Sequence, residues 1–351
     1  MSALSISGLG LVGPAGNTPD ELVSALSTPG GPVDVTGMYE AELPGALAYA
    51  LPEFSTRAEL GRKGTSFFDR RTALTVIACG RALADAGVAV SEEIRDRTGI
   101  VVGTTAGSVR SSVDYAVETF TQDPPHLVNP ALFPTTVMNC AAGQSAIWYG
   151  LRGVNATLAG GRTAFLSVLR YCRTLLRCGR ADTLIAAAID EFTPHAAWLT
   201  QLSGADVAPG EGGAAFVVRG AAAARGDAEV LDVRLGFCPR DTDISTALGA
   251  TIRGVLDRAG LAAGEITTVA SGTDDDAFKA TVAALDGRAP RRLRVDEVVG
   301  DCPTAVGAVE LAALLSEHRA DPARDGAVSL LVARTPEGAF GVAAVRAWSR
   351  S

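Results

Sequence analysis

Apolar residues recur along this chain with two periods, and their alternation predicts the fold class. Short buried-type runs at Leu4–Gly8, Thr98–Gly103, Asp182–Ala188 and Ala214–Val218 predict strands. Residues 70–86 instead repeat apolar positions at helical spacing, and Gly87 supplies a stop. Residues 138–150 and 162–178 also predict helices. Thr18-Pro19-Asp20-Glu21 opens a further helix, with a threonine cap and a glutamate three positions on. The second half repeats the logic: strand 229–235, helix 246–259, strand 267–271, helices 274–285 and 305–318, then strands 327–333 and 340–346. Strands alternating with helices over short connections predict α/β layers. The stretch 219–227 (RGAAAARGD) is the best internal boundary, dividing 1–219 from 220–351.

Composition narrows the function classes. The 351 residues are 47% hydrophobic, enough for a large core. A net charge of -8 argues against non-specific nucleic-acid binding. The one basic run, Arg291-Arg292-Leu293-Arg294, reads as a solvated strand edge or loop, with a carrier-protein docking patch as the alternative. The six cysteines form no CxxC pair or zinc spacing and read as free thiols. No apolar run reaches membrane-spanning length and no leader pattern opens the chain, so a cytoplasmic protein without a membrane partner is expected.

Three features invite chemistry and are read against it. Gly8-Leu9-Gly10-Leu11-Val12-Gly13 fits a dinucleotide fingerprint, but Pro14 and Gly16 prolong the loop before the helix starts. Asp274-Asp275-Asp276 sits at a helix start, where acids complement the dipole, so no metal is expected. His126 in a Pro-rich turn, His195 in a loop after Pro194 and His318 late in a helix read as surface or capping residues.

Several segments together resemble the β-ketoacyl synthases. They are Ile6–Asn17 (ISGLGLVGPAGN), residues 61–71 (GRKGTSFFDRR), 133–153 (FPTTVMNCAAGQSAIWYGLRG), 179–190 (GRADTLIAAAID) and the worn turn Ala339-Phe340-Gly341. The resemblance spans nearly the whole chain, with loops near 192–212, 236–246 and 318–328 trimmed. It implies a thiolase-like, five-layer αβαβα fold made of two similar halves. It also places the family's reactive cysteine on Arg162, its two catalytic histidines on Ser271 and Asp301, and its lysine on Asp296. An arginine cannot act as the nucleophile, being always protonated.

The resemblance therefore implies a subunit that has lost condensation chemistry, with no catalytic residue and no cofactor, and with Arg162, Ser271 and Asp301 as vestigial positions. Because the three family positions converge, Arg162 and Asp301 are expected to pair, with Ser271 nearby. The precedent is the chain length factor of bacterial type II polyketide systems, an inactive relative that pairs with an active ketosynthase subunit, shapes the acyl tunnel and serves an acyl carrier protein. That class places tunnel-lining positions on Ser108, Ser111 and Tyr115, on one helical face, and on Leu132. Helix capping by Ser108 and Ser111 is the competing role. Arginine replaces the glutamine usual in aromatic systems, which leaves room for a highly reducing pathway. A thiolase-fold enzyme with other chemistry and a homodimeric carrier-protein scaffold stay open as alternatives.

Overall fold

Gly8 and Gly10 set how closely the first strand meets the first long helix. A Cβ on Gly8 would lie 2.4 Å from the Ala82 carbonyl oxygen, and one on Gly10 would lie 2.0 Å from that of Ala78. Two glycines of the apparent dinucleotide fingerprint are thus spent on strand–helix packing. The computed structural model describes residues 3–220, 226–239 and 244–350. Residues 221–225, most of the predicted boundary stretch, lie outside the described residues.

The main strands are β1 (Leu4–Val12), β2 (Thr98–Thr104), β3 (Asn155–Ala159), β4 (Thr183–Asp190) and β5 (Gly212–Gly220), then β6 (Ala228–Phe237), β7 (Ile266–Ala270), β8 (Arg291–Leu293), β9 (Val328–Arg334) and β10 (Ala339–Ala347). They form one sheet ordered β8-β7-β9-β10-β6-β1-β5-β4-β2-β3. Each half has the same order. Three strands pair in parallel, β3-β2-β4 and β8-β7-β9, and each set continues into two antiparallel strands. Within the sheet the halves pair where Leu4–Ile6 of β1 runs antiparallel to Ala228–Val230 of β6, and an isolated bridge from Pro209 to Asp301 links them again.

The main helices are α1 (Pro19–Ser27), α2 (Arg70–Asp85), α3 (Val109–Thr121), α4 (Cys140–Tyr149), α5 (Ala164–Arg177) and α6 (Pro194–Leu202), then α7 (Ile244–Ala259), α8 (Asp275–Ala284) and α9 (Val306–Ala320). The Thr18 capping box is present: Glu21 N–H donates to Thr18 Oγ1 and Thr18 N–H to Glu21 Oε2. Helices α2 and α4 cover the outer face of the N-terminal half-sheet, and α7 and α8 that of the C-terminal half. Helices α5 and α9 lie between the halves and touch strands of both. The expected five layers result.

The central helices carry the largest core. Phe165, Leu166 and Leu169 of α5 and Leu311, Leu314 and Leu315 of α9 are fully buried. Each such side chain stabilises the fold by about 1.5–3 kcal/mol relative to exposure. Helix α9 is buried on nearly every side, which explains its apolar residues all round. Three polar exceptions, Glu310, Ser316 and His318, are buried with it.

Candidate functional site

Three chain segments meet at the end of the central layer. Arg162 lies in a short 3-10 turn, Gly161–Thr163, between β3 and α5. Ser271 follows β7, and Asp301 stands in the loop leading into α9. Together the two loops and α9 put all three expected residues in one neighbourhood. Arg162 Nη2 donates to Asp301 Oδ1 in an ion pair. The arginine is about a third exposed, at 34%, whereas the aspartate side chain is 8% exposed. The Thr200 hydroxyl of α6 lies 3.3 Å from the second carboxylate oxygen, a contact the sequence did not announce.

Arg162 and Ser271 line an open cleft of about 550 Å³ with Gly272, Val306 and Glu310. Ser271 is 5% exposed, and among the described residues its buried Oγ has no hydrogen-bond partner. Glu310 accepts a 2.8 Å bond from the Gly272 N–H. Complete burial pushes the Glu310 carboxyl up to about 8, and the Gly272 bond only partly offsets this. At neutral pH Glu310 is therefore a neutral acid beside a guanidinium and an unpaired hydroxyl. Asp296, at the expected lysine position, pairs with Arg294 at 2.7 Å and gives Glu310 no cation.

No histidine lines this cleft. His318 is buried at 4% exposure, against the surface role expected, and burial lowers its pKa. His195 is also not in a loop. It sits in the first turn of α6, because Thr193 caps that helix and Pro194 occupies its first position. His126 is exposed in a 3-10 turn, as expected. Cys302, next to Asp301, is fully buried, and burial raises its thiol well above the ordinary value. Cys238 also lines the cleft.

One ion pair, Arg292–Asp275, joins the acidic run to the basic run, and their other charges pair elsewhere. Asp274 caps α8 through Ala277 N–H and bonds Arg334 at 2.7 and 2.9 Å. Asp275 takes Arg292 at 2.6 Å, and Arg291 pairs with Glu317. The arginines stand on or beside β8, an edge strand as read, and all three have acidic partners.

The four positions assigned to a tunnel gather at α3 and the turn facing it. Ser108 is the N-cap of α3, and its Oγ accepts from Ser111 N–H at 3.4 Å and contacts Ser111 Oγ at 3.0 Å. The capping role is thus occupied. Tyr115, one turn on from Ser111, stacks edge-on against Phe133 at 5.9 Å. Leu132 precedes Phe133 and is half-buried. Beside them lies an exposed apolar set: Phe120, Leu127, Phe133, Val137, Met138 and Ile147. Four of these, Phe133, Val137, Met138 and Ile147, fall within the expected 133–165 face, which also holds the sheet's edge strand β3.

The comparisons bear on this geometry. The profile of the β-ketoacyl synthase N-terminal domain matches residues 1–213. The chain belongs to the β-ketoacyl synthase family. A solved structure titled the ishigamide ketosynthase/chain length factor is 30% identical, with a TM-score of 0.85, covering 99% of this chain and 100% of that one. A type II polyketide synthase ketosynthase in complex with its acyl-carrier protein (AntDE:AntF) shares the fold at 15% identity and a TM-score of 0.78, over 99% of both chains. Among curated proteins, a 3-oxoacyl-[acyl-carrier-protein] synthase 2 of Vibrio cholerae is 25% identical over 187 residues, 53% of this chain. The chain spans about half the length of the curated relatives it matches, 45% in that case. Among the described residues no helix is long and apolar enough to cross a membrane.

Proposed function

We propose that this chain is a non-catalytic chain length factor that pairs with an active ketosynthase subunit and shapes the tunnel receiving its acyl chain. The observation that carries this reading is the Arg162–Asp301 ion pair at the turn between β3 and α5. A thiolate nucleophile needs an unoccupied, electropositive helix start, and here a guanidinium and its counter-ion fill that place. Similarity to the ketosynthase/chain length factor structure over the full chain supports the same reading.

Under this proposal the exposed apolar side chains from Phe120 to Ile147, with edge strand β3, meet the ketosynthase partner. Ser108, Ser111, Tyr115 and Leu132 line the tunnel, and an acyl carrier protein delivers to the partner's site. Residues 1–219 and 220–351 act as two halves of one compact unit. Co-expression with a candidate ketosynthase and affinity capture tests the pairing. A stoichiometric pair that condenses, while each chain alone does not, is the expected result. A stable homodimer of this chain that condenses by itself would overturn the reading.

A thiolase-fold enzyme with other chemistry is the second reading. Cys238 and the neutral Glu310 on one cleft favour it. A covalent acyl adduct on Cys238 would decide for it.

A further inference from the structure

Arginines gather where β6 parts from β1. Strand β6 pairs with β1 as far as Val230, and its register against β10 shifts just before Asp232. Such a shift re-aims the strand's side chains. The Asp232 carboxylate, 2% exposed, there meets three guanidiniums. Arg173 of α5 donates from Nη1 to Oδ1 in an ion pair. Arg258 of α7 donates from Nε to Oδ2 at 2.8 Å, and Nε of Arg234, on the strand itself, lies 4.0 Å from the same oxygen. Arg173 is 7% exposed, and among the described residues its buried Nε has no hydrogen-bond partner.

The cluster is larger than its ion pairs. Arg170 and Arg177 stand one turn before and one turn after Arg173 on the same face of α5, and both are exposed. Among the described residues neither has an acidic partner, and Arg234 has none besides Asp232. One buried carboxylate therefore faces a surplus of positive charge, on a chain whose net charge is -8. Asp232 also holds two of the guanidiniums in place, which lowers the ordering cost when an anion binds. Arg177, in the last turn, offsets the negative end of the α5 dipole, which would otherwise repel an anion.

The span of the patch selects the ligand class. Arg170 and Arg177 are about 10 Å apart along α5, and Arg234 and Arg258 widen the patch across β6 and α7. A single phosphate group cannot bridge such an array, whereas carboxylates in series can. The acidity of the whole chain disfavours a nucleic-acid backbone. We propose that Arg170, Arg177, Arg234 and Arg258, around the buried Arg173–Asp232 pair, form a docking surface for an acidic, carboxylate-rich segment of a partner protein. The turn that carries Arg162 lies at the other end of α5, roughly 15 Å away along its axis. The surface is thus separate from the cleft, and the proposal does not rest on the chain length factor reading.

Fluorescence anisotropy tests this with the full chain and a labelled oligoglutamate of about ten residues, at about 50 mM and about 150 mM salt. Saturable binding of one peptide per chain, weakened by salt, is expected. The double variant Arg170→Glu, Arg234→Glu should weaken it by roughly tenfold or more, and because both arginines are exposed their loss opens no core. The double variant Arg62→Glu, Lys63→Glu changes the net charge equally at another exposed place and should leave the affinity within about twofold. Absence of saturable binding, or equal losses in the two double variants, would overturn the proposal. Tripolyphosphate as competitor separates the ligand classes. If it displaces the peptide at a concentration roughly tenfold below that of unlabelled oligoglutamate, the patch is a phosphate site and the acidic-segment proposal fails.

Discussion

The guanidinium of Arg162 reaches from the turn before α5 to the carboxylate of Asp301 before α9, closing the two loops over one end of the central layer. Asp301 is nearly buried while Arg162 keeps a third of its side chain in solvent. A fully buried pair would cost about 3–5 kcal/mol to break from one side. Partial solvation lowers the expected loss for Arg162→Ala to about 1–3 kcal/mol. Urea unfolding measures it. The double variant with Asp301→Ala should recover part of the loss, since no orphaned carboxylate remains. A loss for Arg162→Ala indistinguishable from zero would show that the pair does not hold the loops.

Stability should fall as pH rises toward 8, through Glu310. Its carboxyl is raised in the fold to about 8 from 4.5, so the neutral form's contribution is complete below about pH 4.5 and lost as pH approaches about 8. Glu191, raised to about 7, contributes over the lower part of that window, and Glu310, raised to about 8, dominates its upper end. Glu310→Gln should remove that upper slope and stabilise the chain at about pH 8 by a few kcal/mol at most. Urea midpoints at several pH values decide. An unchanged slope would mean that Glu310 is already ionised in the fold.

Incubation with an acyl carrier-protein thioester should leave the intact mass of this chain unchanged. The elbow offers an arginine paired with Asp301 in place of a nucleophile, and the neighbouring Cys302 is held as a buried thiol. Cys79 is likewise pushed up to about 12 by burial. Mass spectrometry after a long incubation provides the measurement, and a stable adduct mapped to any cysteine contradicts the expectation.

The architecture was legible because its signals are local. The period switch at 70–86, the Thr18 capping box and the buried runs of β2 and β4 each dictate one element from a few residues. Positions 162, 271 and 301 were legible only through a resemblance, since nothing local in Ser271-Gly272-Thr273 distinguishes a cleft from a cap. The roles of Glu310 and Glu191 were not legible at all. Each depends on which neighbours surround a carboxyl once the layers close; burial outweighs the guanidinium near Glu310. Helix α6 was missed because Thr193-Pro194, a helix start, also has the composition of a loop.

Tyr115 should limit acyl chain length in the reconstituted pair. Its ring packs edge-on against Phe133, so Tyr115→Ala removes one side of an aromatic contact and is expected to open apolar space beside α3. Each CH₂ newly buried there gains about 0.8 kcal/mol. One two-carbon extension unit then shifts the product ratio by roughly tenfold if binding decides release. Ser108→Phe is not a clean opposite, because Ser108 is a buried cap bonded to Glu191 and a phenyl ring would break the helix start. Mass spectrometry of the acyl chains made by the pair supplies the readout. A Tyr115→Ala pair that keeps its activity and its product distribution would remove Tyr115 from the tunnel and leave its contact with Phe133 as packing alone.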